Sequence, residues 1–346
     1  MAPLTRARAA AEAPSLLDTL ARAPAAAALV VAALERAEDR KALRLAHPQL
    51  RDAVGEATTK LGINRHAFAR ARPPTPCRWP RLEKLTFGWP DLAAIEALHS
   101  ETWGALHTLT LQYFSTGGLD APAARALAAA LRRMPALRAL ELRSVELSDA
   151  AAEELFRSCS AGAAPQLRSL TVVEATLTPA TARALAATGW RLEELHLSES
   201  GYLGAAGVAA IAAAPTFAIR RLSLRECGLD AAAALALASA PWPLEELDLS
   251  GNDFRAAGPA LGALSRLPRL RSLSVDFCHV SAAGFKALVE AAWPALTAFA
   301  FDARVEFAGL DTLGAAAFAG FPALEELDLS RVALGAAGAR LLASRR

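Results

Sequence analysis

The heptapeptide LEELDLS occupies residues 244–250 and returns unchanged at 324–330, while LEELHLS fills 192–198. Near-copies at this spacing mark one structural unit repeated along the chain. Aligned outward from Leu244, the template Leu-x-x-Leu-x-Leu-x-x-(Asn/Cys)-x-Leu starts at Leu82, Leu106, Leu137, Leu167, Leu192, Ile219, Leu244, Leu270, Leu296 and Leu324. Successive starts lie 24 to 31 residues apart. Within each copy, alternation such as Leu247 and Leu249 has the period of two that belongs to a short strand with one buried face.

The eleventh template position is apolar at Leu119, Leu147, Leu177, Leu203, Leu229, Phe254, Val280 and Leu334. The residue after it is Asp120, Ser148, Thr178, Gly204, Asp230, Arg255, Ser281 or Gly335. All but Arg255 are residue types that cap the first free N–H groups of a helix, so a helix is expected after every strand. Glycine follows at Gly207, Gly258, Gly284 and Gly338, where a small residue lets a helix approach its neighbour. Pro80, Pro135, Pro165, Pro268, Pro294 and Pro322 each stand two residues before a strand leucine and end the helix there. Trp79, Trp103, Trp190, Trp242 and Trp293 share a nearly fixed offset before the strand, which points to packing at the helix end. Strand, turn, helix and turn within roughly 26 residues build an α/β solenoid of stacked parallel strands with helices outside.

On these residues, segment 79–346 resembles a leucine-rich repeat domain of the ribonuclease-inhibitor-like or cysteine-containing type, with about ten repeats. The resemblance implies a horseshoe with strands on the concave face and helices on the convex face, and a role in binding other proteins. Asn252, Cys227 and Cys278 fill the ninth position, where such repeats hydrogen-bond the turn backbone.

Composition narrows the function. The chain has 346 residues of which 53% are hydrophobic, enough to exclude disorder for most of it. Lys plus Arg number 37 against 35 Asp plus Glu, a net charge too small for a general polyanion binder. Residues 1–78 carry a net of +6 and the rest −4. Cys77, Cys159, Cys227 and Cys278 have neither paired nor zinc-ligand spacing, so no disulfide framework, metal or cofactor is expected, and a reducing cytoplasmic or nuclear compartment fits. Arg6 and Arg8 at an alanine-rich start leave an organelle transit peptide as the lesser alternative. The longest uncharged apolar run, Ala23 to Leu34, is shorter than the ~20 residues of a membrane helix. Phosphate-loop, dinucleotide, nucleophile-elbow and metalloprotease motifs are missing, which points away from an enzyme.

Residues 1–78 lack the repeat and read as helices over 16–22, 25–36, 39–45 and 48–61. One reading is a helical cap on the open end of the solenoid. The other comes from residues 28–54, which are similar to an F-box through Leu29, Val30, Leu34, Asp39, Leu43, Leu45, Leu50 and Val54. That resemblance implies a substrate-recognition subunit of a cullin-based ubiquitin ligase, with Leu29, Val30, Leu34, Leu43 and Leu45 contacting the ligase's small adaptor subunit.

Side chains alternate along a strand, so positions 4 and 6 enter the core while 3, 5 and 7 face out of the sheet. The first six repeats present Lys84, Glu141, Arg143, Glu194, His196, Arg221 and Arg225 there. The last four present Glu246, Asp248, Asp276, Asp302, Glu326 and Asp328, with no basic side chain. Strands lie ~4.8 Å apart, well inside a Debye length, so these carboxylates form a strip whose fields add. The strip predicts a protein partner with a basic segment and disfavours nucleic acid. Phe277, at the eighth position beside Asp276, is the candidate anchor, and Trp89 and Tyr113 hold the same position. His196 stands alone and reads as a contact residue rather than a general base.

Overall fold

The structure is a computed structural model that describes residues 60–63, 80–88, 90, 92–100, 102–113, 118–160, 162–302, 318–330, 332, 340 and 343. Most of residues 1–78 therefore lie outside it, including the F-box-like Leu29, Val30, Leu34, Leu43 and Leu45, as do Trp79, Trp89, Leu334, Gly335 and Gly338.

The main element is a parallel sheet of eleven strands among the described residues. In order these are β1 (Lys60–Ile63), β2 (Lys84–Gly88), β3 (Thr108–Gln112), β4 (Ala139–Leu147), β5 (Ser169–Ala175), β6 (Glu194–His196), β7 (Arg221–Ser223), β8 (Glu246–Asp248), β10 (Ser272–Ser274), β12 (Ala298–Ala300) and β13 (Glu326–Asp328). A second sheet pairs β9 (Asp253–Phe254) with β11 (His279–Val280), also in parallel. On the other side of the core run α1 (Leu92–Leu98), α2 (Ala121–Leu131), α3 (Asp149–Cys159), α4 (Pro179–Ala186), α5 (Gly204–Ala212), α6 (Ala231–Ala238) and α7 (Ala282–Glu290). The apolar template positions of both layers meet in one continuous core, in which Leu244, Leu247 and Leu249 are buried.

Each step of the stack is fixed by its backbone. The carbonyl of template position 2 accepts two amide hydrogens from the following repeat: Glu245 O takes those of Arg271 and Ser272, and Arg271 O those of Thr297 and Ala298. Identical template positions consequently lie side by side, as in Arg221 beside Glu246 and Leu222 beside Leu247. Position 8 turns the chain through the left-handed region at Tyr113, Ser144, Glu174, Glu199, Glu226, Gly251 and Phe277, with φ between 47° and 74°. Only one of these is glycine, so the turn is imposed on side chains that resist it and must be held by its surroundings.

The ninth position supplies part of that hold. Asn252 Oδ1 accepts from the amides of Cys227 and Leu229, both at 3.0 Å, and its Nδ2 donates to Leu224 O and Leu249 O at 2.8 and 2.7 Å. Cys278 Sγ donates to Leu249 O at 3.1 Å, and Cys227 Sγ donates to Leu197 O.

The predicted caps form. Asp120, Ser148, Thr178, Asp230 and Ser281 each accept a backbone amide hydrogen from the first turn of α2, α3, α4, α6 and α7. Three features differ from the sequence reading. After β9, where Arg255 replaces a capping residue, no α-helix forms: the chain makes two 3₁₀ segments, Gly258–Ala260 and Gly262–Arg266, because Pro259 removes an amide donor there. Gly204 does not cap α5 but begins it at φ 55°, and a Cβ on Gly207 would strike Leu203 of its own repeat rather than a neighbouring helix. Lys60 and Leu61, expected at the end of a helix, lie in β1, which pairs with β2 in the register Leu61 to Leu85. Three residues before Leu61 the sequence has Thr58 where the template asks for leucine, so the repeat search passes over this copy. Of the tryptophans, Trp103 and Trp293 pack at helix ends, buried and donating Nε1–H to Leu98 O and Leu288 O, whereas buried Trp190 donates to Ala163 O of the preceding repeat and the buried Trp242 Nε1 has no partner among the described residues.

Asn252→Ala leaves the amides of Cys227 and Leu229 without acceptors and the Leu224 carbonyl without its donor, while Leu249 O keeps only the Cys278 thiol, which is expected to cost about 3 kcal/mol or more. Chemical denaturation measures this, and a loss below about 1 kcal/mol would remove the asparagine from its structural role.

Candidate functional site

The concave surface is a grid whose columns are strands and whose rows are template positions. Across β8, β10, β12 and β13 the third-position row is Glu246, Ser272, Ala298 and Glu326, and the fifth-position row is Asp248, Ser274, Ala300 and Asp328. The seventh position continues as Ser250, Asp276, Asp302 and Ser330. Strand pairing thus brings together the six acidic residues expected to form a strip. Their exposure is unequal: Glu246, Glu326 and Asp328 are exposed, Asp248 and Asp276 are half-buried, and Asp302 is buried at 5%. Asp302 therefore acts on the face through its field rather than as a contact surface.

Serines tie the carboxylates together. Ser250 donates its amide and hydroxyl to Asp248 Oδ1 at 2.9 and 2.5 Å, and Ser330 does the same to Asp328 Oδ1. Ser223 donates to Asp248 Oδ2 at 3.4 Å and Ser274 to Asp276 Oδ2 at 3.0 Å; the hydroxyl oxygens of Ser250 and Ser274 lie 2.8 Å apart, and since each carries one proton, a bond between them replaces one of their hydroxyl bonds to Asp248 or Asp276. The result is a run of polar contacts from β7 to the end of β10 in which the hydroxyl protons have alternative acceptors. Sequence reasoning passed over these serines because it weighed charge alone, although serine at position 5 or 7 of consecutive repeats was the available signal.

The basic concave residues have a different fate. Arg143 pairs with Glu141 at 3.0 Å, Arg221 pairs with Glu194, and Arg225 pairs with Glu226 at 3.4 Å. The guanidinium of Arg225 also lies 6.0 Å from the centre of the Phe277 ring, within cation–π range. Among the described residues no ion pair joins Glu246, Asp248, Asp276 or Asp328 to a cation. Phe277 keeps 42% of its surface exposed and Tyr113 47%.

Electrostatics follow this layout. Burial pushes the Asp276 carboxyl above its ordinary value, Ser274's hydrogen bond opposes that shift, and the charges of Asp328, Asp302 and Asp248 add to it. Asp276 Oδ1 is buried with no hydrogen-bond partner among the described residues. The Ser330 hydrogen bonds hold Asp328 below its ordinary value. His196, on the neighbouring half of the face, is pushed down by burial and by Arg143, against the pull of Asp248, Glu246 and Glu141. Burial and Arg143 thus favour the uncharged imidazole. Burial raises the thiols of Cys159, Cys227 and Cys278 to about 12, which removes them as nucleophiles. Among the described residues no group of three or more His, Cys, Asp or Glu side chains is placed to hold a metal ion, and no helix is long and apolar enough to cross a membrane.

A family model described as a leucine-rich repeat matches residues 243–258, the segment from β8 through Asn252 to β9 and the turn beyond. The chain is 30% identical over 213 residues to a ribonuclease inhibitor of Sus scrofa, a match covering 56% of this chain and 45% of that protein. It therefore spans less than half the length of that relative. Among solved structures it is similar to an internalin, InlF, of Listeria monocytogenes, with 15% identity, a TM-score of 0.45 and coverage of 89% of this chain and 91% of that one. It is also similar to a structure of a Rad7 and Elc1 complex in yeast, with 16% identity, a TM-score of 0.42 and coverage of 96% and 88%.

The raised Asp276 carboxyl makes a prediction about stability. Its ionised form is less favourable in the folded chain than in the unfolded one, so the penalty is full above its folded pKa and vanishes once pH falls below the unfolded value. Asp276→Asn is expected to raise the melting temperature at pH 7 and to lose that advantage as the pH is lowered into the carboxylate range. A melting temperature that is unchanged at pH 7, or a gain independent of pH, would contradict this placement.

Proposed function

We propose that this chain, a leucine-rich repeat protein, is a non-enzymatic protein-binding module that captures a basic segment of its partner on the concave face of the sheet, over β8, β10, β12 and β13. The observation that carries the reading is the unequal pairing of charge. The arginines of the face are engaged by neighbouring carboxylates, whereas Glu246, Asp248, Asp276 and Asp328 have no cationic partner among the described residues. Such a surface raises the encounter rate with a basic partner and repels a phosphate backbone. Phe277, exposed at the strand exit beside Asp276, supplies apolar area where charge alone gives little affinity. Free buried thiols suit a reducing cytoplasmic or nuclear compartment.

The finer role rests on residues 28–54, whose F-box-like pattern makes the N-terminal segment the attachment point to the small adaptor subunit of a cullin-based ubiquitin ligase, with the solenoid presenting the substrate. If that segment is instead a helical cap, the chain is a free-standing binding or scaffold protein. Co-precipitation of the full chain with purified adaptor separates the two: binding abolished by Leu29→Asp with Leu43→Asp supports the ligase role, and no binding by the intact chain overturns it.

The concave reading is tested by replacing Asp248, Asp276, Asp302 and Asp328 with Asn, which keeps shape and removes charge. Association with an Arg-rich peptide, followed by surface plasmon resonance, is expected to slow about tenfold or more at low salt and to lose most of its salt dependence. An unchanged rate and salt dependence would move the binding face away from these repeats.

A further inference from the structure

The acidic half of the concave face is a trough with two matching walls. The repeated LEELDLS puts Glu246 and Asp248 on β8 and Glu326 and Asp328 on β13, at the same template positions. The two strands between carry only small side chains there: Ser272 and Ser274 on β10, Ala298 and Ala300 on β12. Asp276 and Asp302 close the trough at the strand exits. Three strand spacings separate the walls, a width of about 14 Å. Each wall is held in place by its own serine, since Ser250 fixes Asp248 and Ser330 fixes Asp328 through amide and hydroxyl donors.

Resting on the concave-face reading above, we infer that the bound segment crosses the strands in an extended conformation with two cationic side chains four residues apart, one at each wall. An extended chain advances ~3.4 Å per residue, so about 4 residues span the trough, and an even spacing places both side chains on the sheet-facing side. The residue midway between them faces the Ser and Ala floor, where only a small side chain lets the backbone come close. A helix does not meet the spacing: at 1.5 Å per residue its cations at i and i+4 lie ~6 Å apart and reach one wall only. Guanidinium suits the site better than ammonium, because it can take two carboxylate oxygens at once from a rigid fork, and Asp248 and Asp328 are already oriented.

The test uses the full chain and labelled nonapeptides of equal charge in a Gly/Ser background, with arginines at positions 3 and 7, 3 and 5, or 3 and 6, measured by fluorescence anisotropy. The 3,7 peptide is expected to bind about tenfold more tightly than the other two. A proline at position 4, which excludes a helix, should leave that affinity intact. Neutralising either wall, by Glu246→Gln with Asp248→Asn or by Glu326→Gln with Asp328→Asn, should abolish the preference for spacing. Equal affinities for all three peptides, with binding still lost in the four-Asn variant, overturn the spacing while leaving the acidic face as the binding surface. No binding by any peptide overturns both.

Discussion

One backbone carbonyl per repeat sets the rest of the molecule. By accepting two amide hydrogens from the repeat that follows, the position-2 carbonyl leaves each new strand a single register against the last. A slip of one residue would send the leucines of positions 4 and 6 to solvent and the acids of positions 3 and 5 into the core, so burial and hydrogen bonding enforce the same alignment. Once register is fixed, the concave surface stops being a property of any one repeat. It becomes a set of rows, each read from a single template position across many repeats.

Function enters through those rows. Glu246 and Glu326 are 80 residues apart in the chain, yet both stand in one row, three strand spacings apart, with only β10 and β12 between them. The same logic gives Asp276 its raised carboxyl pKa: burial begins the shift, and three aspartates from other strands add to it. In the central repeats opposite charges are neighbours, Arg221 beside Glu194 in one row and Arg143 two residues from Glu141 on one strand, and they cancel locally. Only past β8 does one sign persist, and there the face has charge left to offer a partner.

The repeat itself was legible because leucine period, capping residues and helix-ending prolines all agree, and consistency at several levels is what specifies a fold. Arg255, the single break in the capping series, fell where the α-helix is replaced by 3₁₀ turns. Strand β1 was hidden because hydrophobic identity at Thr58 is absent while backbone pairing with β2 is kept. The acidic residues were legible one by one. Their inequality was not: burial of Asp302, the serine contacts from Ser223 to Asp276, and the approach of Arg225 to the Phe277 ring depend on distances between repeats that no single repeat records. The left-handed turn at position 8 was equally silent, since Tyr, Ser, Glu and Phe occupy it as readily as Gly251.

The central claim is that strand register gathers these carboxylates into one electrostatic unit. Carboxyl-carbon NMR titration of Asp276, in the wild type and in Asp328→Asn, tests it most directly. The account predicts a pKa above the ordinary aspartate value in the wild type and a fall toward that value in the variant, two strands away. An Asp276 that titrates at its ordinary value, or one indifferent to Asp328, would contradict it.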